Sequence, residues 1–123
     1  MKIKTHKDLD VNNLAFNSAM EIFDWSKSFP SEERYSRTDQ IERSSRFVYA
    51  NIAEAFRARG YERSFVSKLS ISECEGGETQ VWLDFALSCG YINKEIHEKL
   101  FDKYDHIIAM LVNMIIKPDK WLI

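Results

Sequence analysis

Arg63-Ser64-Phe65-Val66-Ser67-Lys68-Leu69-Ser70-Ile71-Ser72-Glu73-Cys74-Glu75-Gly76-Gly77-Glu78-Thr79-Gln80-Val81-Trp82-Leu83-Asp84-Phe85-Ala86 reads as one long amphipathic helix, and that reading decides the fold. Phe65, Leu69, Ser72, Gly76, Thr79, Leu83 and Ala86 recur at alternating spacings of three and four, the repeat that gathers side chains on one side of an α-helix. A half-buried strand would alternate at every second residue, and the run as a whole does not. Each glycine of Gly76-Gly77 costs roughly 1 kcal/mol of helix propensity relative to alanine, so the pair marks a close backbone approach or a local bend. Trp82 and Phe85 lie on a neighbouring face and widen the apolar surface. Gly90 closes the helix, which is predicted from about Arg63 to Cys89.

Working outward, Thr38 is the expected cap of a preceding helix that runs to about Arg59, with Asp39 in its first turn and Gly60 as its stop. Ile41, Ser44, Ser45, Val48, Ile52 and Ala55 form its inward stripe, and Arg43, Phe47, Ala50 and Glu54 form a second stripe beside it. Before that, Asp10 is expected to cap a helix over about Val11 to Ser28, carried by Leu14, Ala15, Ala19, Ile22 and Phe23 and stopped by Phe29-Pro30. Phe29 and Tyr35, in the short connection that follows, are expected to pack on the bundle's end. A last helix, capped by Asn93, spans about Lys94 to Lys117 on Ile96, Leu100, Phe101, Tyr104, Ile107, Ile108, Leu111, Met114 and Ile115, and Pro118 ends it. Short connections make sequential helices antiparallel neighbours, so residues 1–123 are expected to form a single all-α domain, an antiparallel up-down four-helix bundle.

The composition agrees with a compact helical chain: 45% hydrophobic, 29% charged, four Gly and two Pro in 123 residues. The longest strongly apolar stretch, Ile107 to Ile116, is far shorter than the ~20 residues of a membrane span, and Met1 to Lys7 lacks a signal-peptide core. A cytoplasmic protein is therefore expected. Cys74 and Cys89 fall on one helix about 22 Å apart at ~1.5 Å per residue, too far to bond each other, which fits reduced thiols.

The chemistry-bearing patterns are few. Bundle di-metal centres use Glu-x-x-His pairs, and the sequence has none; His6, His97 and His106 are not spaced as a ligand pair, and there is no C-x-x-C. Glu54, Glu73, Glu75 and Glu78, with Asp102 and His106 one turn apart, are the groups available for acid/base work, but clustered carboxylates beside an Arg-rich helix read as ion-pair partners. Gly76-Gly77 follows no strand and lacks the phosphate-loop lysine. No catalytic residue, metal or cofactor is assigned, and the protein is expected not to be an enzyme.

What remains is charge and aromatic surface. Net charge is −2, yet residues 34 to 68 carry eight Arg/Lys (Arg37 among them) against four acids. Within that stretch, Arg57, Arg59, Tyr61 and Arg63 cluster between the second and third helices, guanidiniums for phosphate and a ring for an unpaired base. A solvated loop is the plainer reading of the same run. The second and third helices also offer more apolar surface than an isolated bundle needs, which makes Phe47, Tyr49, Phe56, Trp82 and Phe85 the expected homo-oligomer interface. Trp121-Leu122-Ile123 also needs burial, on a neighbouring subunit if not on its own.

Three segments carry a family resemblance: Phe29-Pro30 with Glu33 and Tyr35; Asp39-Gln40-Ile41-Glu42-Arg43-Ser44-Ser45 leading to Asn51-Ile52-Ala53-Glu54-Ala55; and Phe65, Lys68-Leu69, Glu75, Glu78-Thr79-Gln80-Val81-Trp82-Leu83, closing on Gly90-Tyr91-Ile92. In these the chain resembles the four-helix-bundle proteins encoded in intervening sequences of bacterial 23S ribosomal RNA genes, and also the accessory protein of diversity-generating retroelements. It departs from the common pattern at Gly76-Gly77 and at Ala55, keeping small residues at both. The resemblance implies a homo-oligomer, a pentameric ring, with an RNA or nucleoprotein partner, and so a scaffold or adaptor. A protein–protein interaction module without nucleic acid is the alternative.

Overall fold

The computed structural model describes residues 4–123, the side chains at positions 35 and 37 excepted, so the readings placed on Tyr35 and on the Arg37 charge lie outside the described residues. Its four long helices are α1 (Asp10–Ser26), α2 (Asp39–Arg57), α3 (Glu62–Ser88) and α4 (Lys94–Ile116). Each packs against its neighbours in the chain, and α1 closes the ring against α4, giving an antiparallel up-down bundle. No strand occurs among the described residues.

The seam of α3 is the axis of the fold. All seven of its predicted residues, Phe65 to Ala86, are buried, and they meet Ile41, Val48, Ile52 and Ala55 of α2 and Leu100, Tyr104, Ile107 and Leu111 of α4. Midway along, the packing is close and polar. The Ser72 hydroxyl donates to the Val48 carbonyl at 2.8 Å, and Thr79 Oγ1 lies 2.8 Å from Ser44 Oγ and 2.9 Å from the Glu75 carbonyl oxygen. A Cβ at Gly76 would stand 3.1 Å from Ile108 Cγ1, a few tenths of an ångström too close, and in ordinary contact with Val48 Cγ2 at 4.0 Å, so it is α4 that approaches α3 closely there. The helix passes through Gly76-Gly77 unbroken: close approach, not a bend, accounts for the first glycine, and Gly77 meets nothing within 4 Å.

The helix ends follow simple chemistry, with three departures from expectation. Leu9, not Asp10, occupies the cap of α1, and Asp10 acts from the first turn, where its charge favours the helix dipole. Ahead of it, Thr5 and Asp8 form a reciprocal capping box around the short 3-10 turn His6–Asp8, and backbone N–H groups of Thr5 and Lys4 hold the Asp8 carboxyl below its ordinary value. Thr38 stands at the cap position of α2 as expected, but its hydroxyl makes no capping bond. The chain enters α2 through a wide π-type turn, Arg34–Thr38, whose carbonyls already satisfy the first amides, so Thr38 is itself helical and makes no side-chain cap. Finally, α2 ends at Arg57 without using Gly60: the Ala58 N–H donates to Ala55 and Glu54 carbonyls in a tightened last turn.

The other ends match their signals. Asn93 Oδ1 accepts from the Ile96 amide at 2.8 Å. Gly90, at φ +78, completes a Schellman closure of α3 with Tyr91 N–H donating to Ala86 O and Gly90 N–H to Leu87 O. After Pro118 the tail folds back on its own bundle: Trp121 and Leu122 pack against the core, and the Ile123 N–H donates to the Arg59 carbonyl at 3.2 Å, its side chain exposed.

Candidate functional site

At the end of the bundle where α2 passes into α3, the chain turns over Ala58–Tyr61 by consecutive short backbone bonds. That turn projects Arg57, Tyr61 and Arg63 into solvent, Tyr61 at 76% exposure. Among the described residues neither Arg57 nor Arg63 pairs with a carboxylate: Glu54 is taken by Lys68 at 3.4 Å, and Glu62, adjacent in the chain to Arg63 and exposed, makes no ion pair with either. Arg59 differs. Its guanidinium lies 3.7 Å over the Phe56 ring and its Nε donates to the Phe56 carbonyl at 3.0 Å, so it is half-buried and fixed, with only its terminal amino groups free to meet an anion.

The five aromatics expected at one interface fall in three places. Phe56 is 5% exposed and belongs to the bundle's own core, where it carries Arg59 on its face, so it is withdrawn from the interface set. Tyr49 lies in the cleft between α1 and α2, its ring 5.3 Å from that of Phe16 and its hydroxyl 3.2 Å from His6 Nε2. Phe47, Trp82 and Phe85 are the ones on the outer side of α2 and α3. Phe47 is 41% and Phe85 44% exposed, and the half-buried Trp82 stacks at a tilt on Phe85 with centroids 5.6 Å apart. Gln40, Glu33 and Ser36 join Trp82 and Phe85 around a shallow hollow of about 360 Å³.

Between these aromatics the face is charged, though not in the pairs the sequence suggested. Glu75 feels Arg43 across the α2–α3 boundary, but burial first and Glu78 second push its carboxyl up from its ordinary value. The ion pair that does bridge the two helices, Glu54–Lys68, takes its acid from α2 and its base from α3.

Sequence reasoning missed the α1–α2 cleft. Asn12, Asn13, Phe16, Lys7 and Tyr49 line a hollow of about 300 Å³ there. Asn12 is 1% exposed, and its Oδ1 finds no hydrogen-bond partner among the described residues. An unmet buried carbonyl costs about 1–3 kcal/mol. The sequence held no signal for it: Asn12 stands beside the equally polar but exposed Asn13, and only the packing of α1 on α2 separates the two. Ser18, Thr38, Tyr104 and Trp82 also keep buried polar atoms without a well-formed bond, and burial pushes the Tyr104 hydroxyl well above its ordinary value, Glu21 adding to the effect and Ser45 opposing it. No three His, Cys, Asp or Glu residues gather as a metal site among the described residues, and Cys74 and Cys89 are exposed free thiols.

With four helices, the α3 seam and the Asn51-Ile52-Ala53-Glu54 turn in place, comparison with known proteins is decisive for lineage. The profile of the 23S rRNA-intervening sequence proteins matches residues 7–113. The chain belongs to that family. Among solved structures it is similar to a protein of unknown function from the S23 ribosomal protein family of Bacteroides thetaiotaomicron VPI-5482, at 29% identity and a TM-score of 0.77, over 85% of this chain and 97% of the other. No curated protein matches it. The likeness fixes the four-helix bundle and points to no catalytic family. No helix among the described residues is long and apolar enough to cross a membrane.

Proposed function

We propose that this member of the 23S rRNA-intervening sequence family is a non-enzymatic, cytoplasmic scaffold that assembles with copies of itself and holds RNA at the α2–α3 end. The observation that carries the reading is the combination at that turn of two exposed guanidiniums, Arg57 and Arg63, with no carboxylate partner among the described residues, beside the exposed ring of Tyr61. Arginine meets phosphate through paired N–H groups, and a tyrosine ring offers a stacking face to an unpaired base. A chain of net charge −2 is a weak polyelectrolyte ligand alone, so repetition of the edge in an assembly, a pentamer by the family resemblance, multiplies a modest contact. Phe47, Trp82 and Phe85 are the surface available for that assembly.

Light scattering on a size-exclusion column, with absorbance at 260 nm, tests both halves. The expected mass is a multiple of 14.5 kDa, near fivefold, with nucleic acid in the peak. Arg57→Ala/Arg59→Ala/Arg63→Ala is expected to strip the nucleic acid, leave the mass, and lower the salt slope of single-stranded RNA binding by about 2. Phe47→Ser/Phe85→Ser is expected to lower the mass. RNA retention unchanged by the arginine substitutions defeats the assignment. The exposed aromatic face favours a second reading, a protein-binding module, which a pull-down surviving nuclease treatment would select.

A further inference from the structure

The cleft between α1 and α2 has a composition that the scaffold reading does not use. Its wall is the Phe16 ring, 47% exposed, set at 59° to Tyr49 with centroids 5.3 Å apart. Asn12 contributes a buried amide whose Oδ1 lacks a partner, and Lys7, which is exposed, and Asn13 complete the lining. His6 fixes Tyr49 through its hydroxyl and meets that ring edge-on, so the wall is held in place. At about 300 Å³ the hollow is at the small end of ligand clefts, suited to one planar heterocycle.

We propose that this cleft binds a single unpaired nucleobase, stacked on Phe16 and read along one edge by the Asn12 amide, with the Lys7 ammonium beside the phosphate. The chemistry selects that ligand class for three reasons. An exposed aromatic face is sequence-tolerant ground for base stacking. A carboxamide presents a donor and an acceptor side by side, the pattern that base edges return. A neighbouring cation suits the phosphate that every nucleotide carries. A purely apolar ligand would leave the amide unmet, and an isolated anion would gain nothing from the rings. The placement also links the cleft to the edge described above: Tyr49 stands two turns before Arg57 on α2, roughly 12 Å along the helix. A strand held by Arg57 therefore has the cleft within reach. The proposal rests on the RNA reading for the source of the base but not for its recognition, since a free nucleoside monophosphate carries the same groups.

The test is an NMR titration of the full chain with adenosine monophosphate, with ribose 5-phosphate as the base-free probe, following the Asn12 side-chain amide and the Phe16 and Tyr49 rings. Saturable shifts with the nucleotide alone are expected. Phe16→Ala, an exposed substitution that leaves the fold intact, is expected to weaken the midpoint roughly tenfold, as loss of one stacking face should. Asn12→Ser, which replaces the carboxamide with a smaller hydroxyl, is expected to weaken it as well. Arg57→Ala/Arg63→Ala is expected to leave the midpoint within about twofold while abolishing RNA retention in a gel shift. Equal shifts with ribose 5-phosphate, or an Asn12 amide unmoved by the nucleotide, overturn the base pocket. If the nucleotide binds and RNA does not, the pocket stands with free nucleotide as its ligand and the RNA reading falls. If RNA is retained with an affinity indifferent to Phe16→Ala and Asn12→Ser, and the nucleotide gives no saturable shifts, the pocket falls and the RNA reading stands.

Discussion

Leu69 and Ile71 are two residues apart on α3, and they show how differently its inward and outward faces are made. Leu69 is fully buried among α2 and α4 side chains, while Ile71 is 43% exposed. The inward face is a continuous seam of large and small residues fitted to neighbours, with Ser72 and Thr79 spending their hydroxyls on α2 and on α3's own backbone. The outward face carries Ile71, Val81 and Phe85, each more than 40% exposed, beside acidic residues. Inside, residue choice answers to packing. Outside, it answers to whatever meets the surface.

The largest expected effect separates the faces directly. Leu69→Ala should destabilise the fold by about 2–5 kcal/mol, a buried aliphatic lost and a cavity left, whereas Ile71→Ala should stay within about 0.5 kcal/mol for the free subunit. Urea unfolding of both variants at low protein concentration measures this. Repeating it at high concentration sharpens the contrast, because a face covered by another copy makes the cost of Ile71→Ala rise with concentration, while that of Leu69→Ala does not depend on it.

A finer cut uses the adjacent glycines. Gly76 faces Ile108 at a distance that a larger side chain cannot share, so Gly76→Val should destabilise by about 1–3 kcal/mol. Gly77 has open space around it in a helix interior, so Gly77→Ala should stabilise by about 0.5–1 kcal/mol through helix propensity. Opposite signs in thermal melts are the expected result. A destabilising Gly77→Ala would mean that the outward face already touches something in solution.

The same division explains what could be read from the sequence. The seam was legible because packing imposes a period: all seven positions from Phe65 to Ala86 are buried, as is the Ile41 to Ala55 stripe of α2. Caps were legible where a side chain does the capping, as Asn93 does, and legible in position alone at Thr38, where a π-type turn supplies the hydrogen bonds from the backbone. Aromatic residues carried no period of their own. Phe56 at the core, Tyr49 in a cleft and Phe47 on a surface look alike in the chain, because only the relative rotation of α1, α2 and α3 sorts them. Asn12 was illegible for a related reason: one polar residue on a helix is marked as buried only when the partner helix is known.

The smallest expected effect lies on the border between the two faces. Glu75 is half-buried, and burial together with Glu78 raises its folded-state pKa above the ordinary 4.5, Arg43 opposing. In the unfolded chain the carboxyl ionises near 4.5, so through the window just above that value the folded protein binds more protons, and stability falls as pH rises across it. Glu75→Gln has no proton to lose. Its stability should be flatter across that window and slightly higher at neutral pH, by no more than about 0.5 kcal/mol at a partly solvated site. Arg43→Ala, which removes the opposing charge, should steepen the wild-type fall, and Glu78→Gln should soften it. A Glu75→Gln melt that tracks the wild type at every pH would place this carboxyl fully in water, and the inward face of α3 would then stop at Gly76.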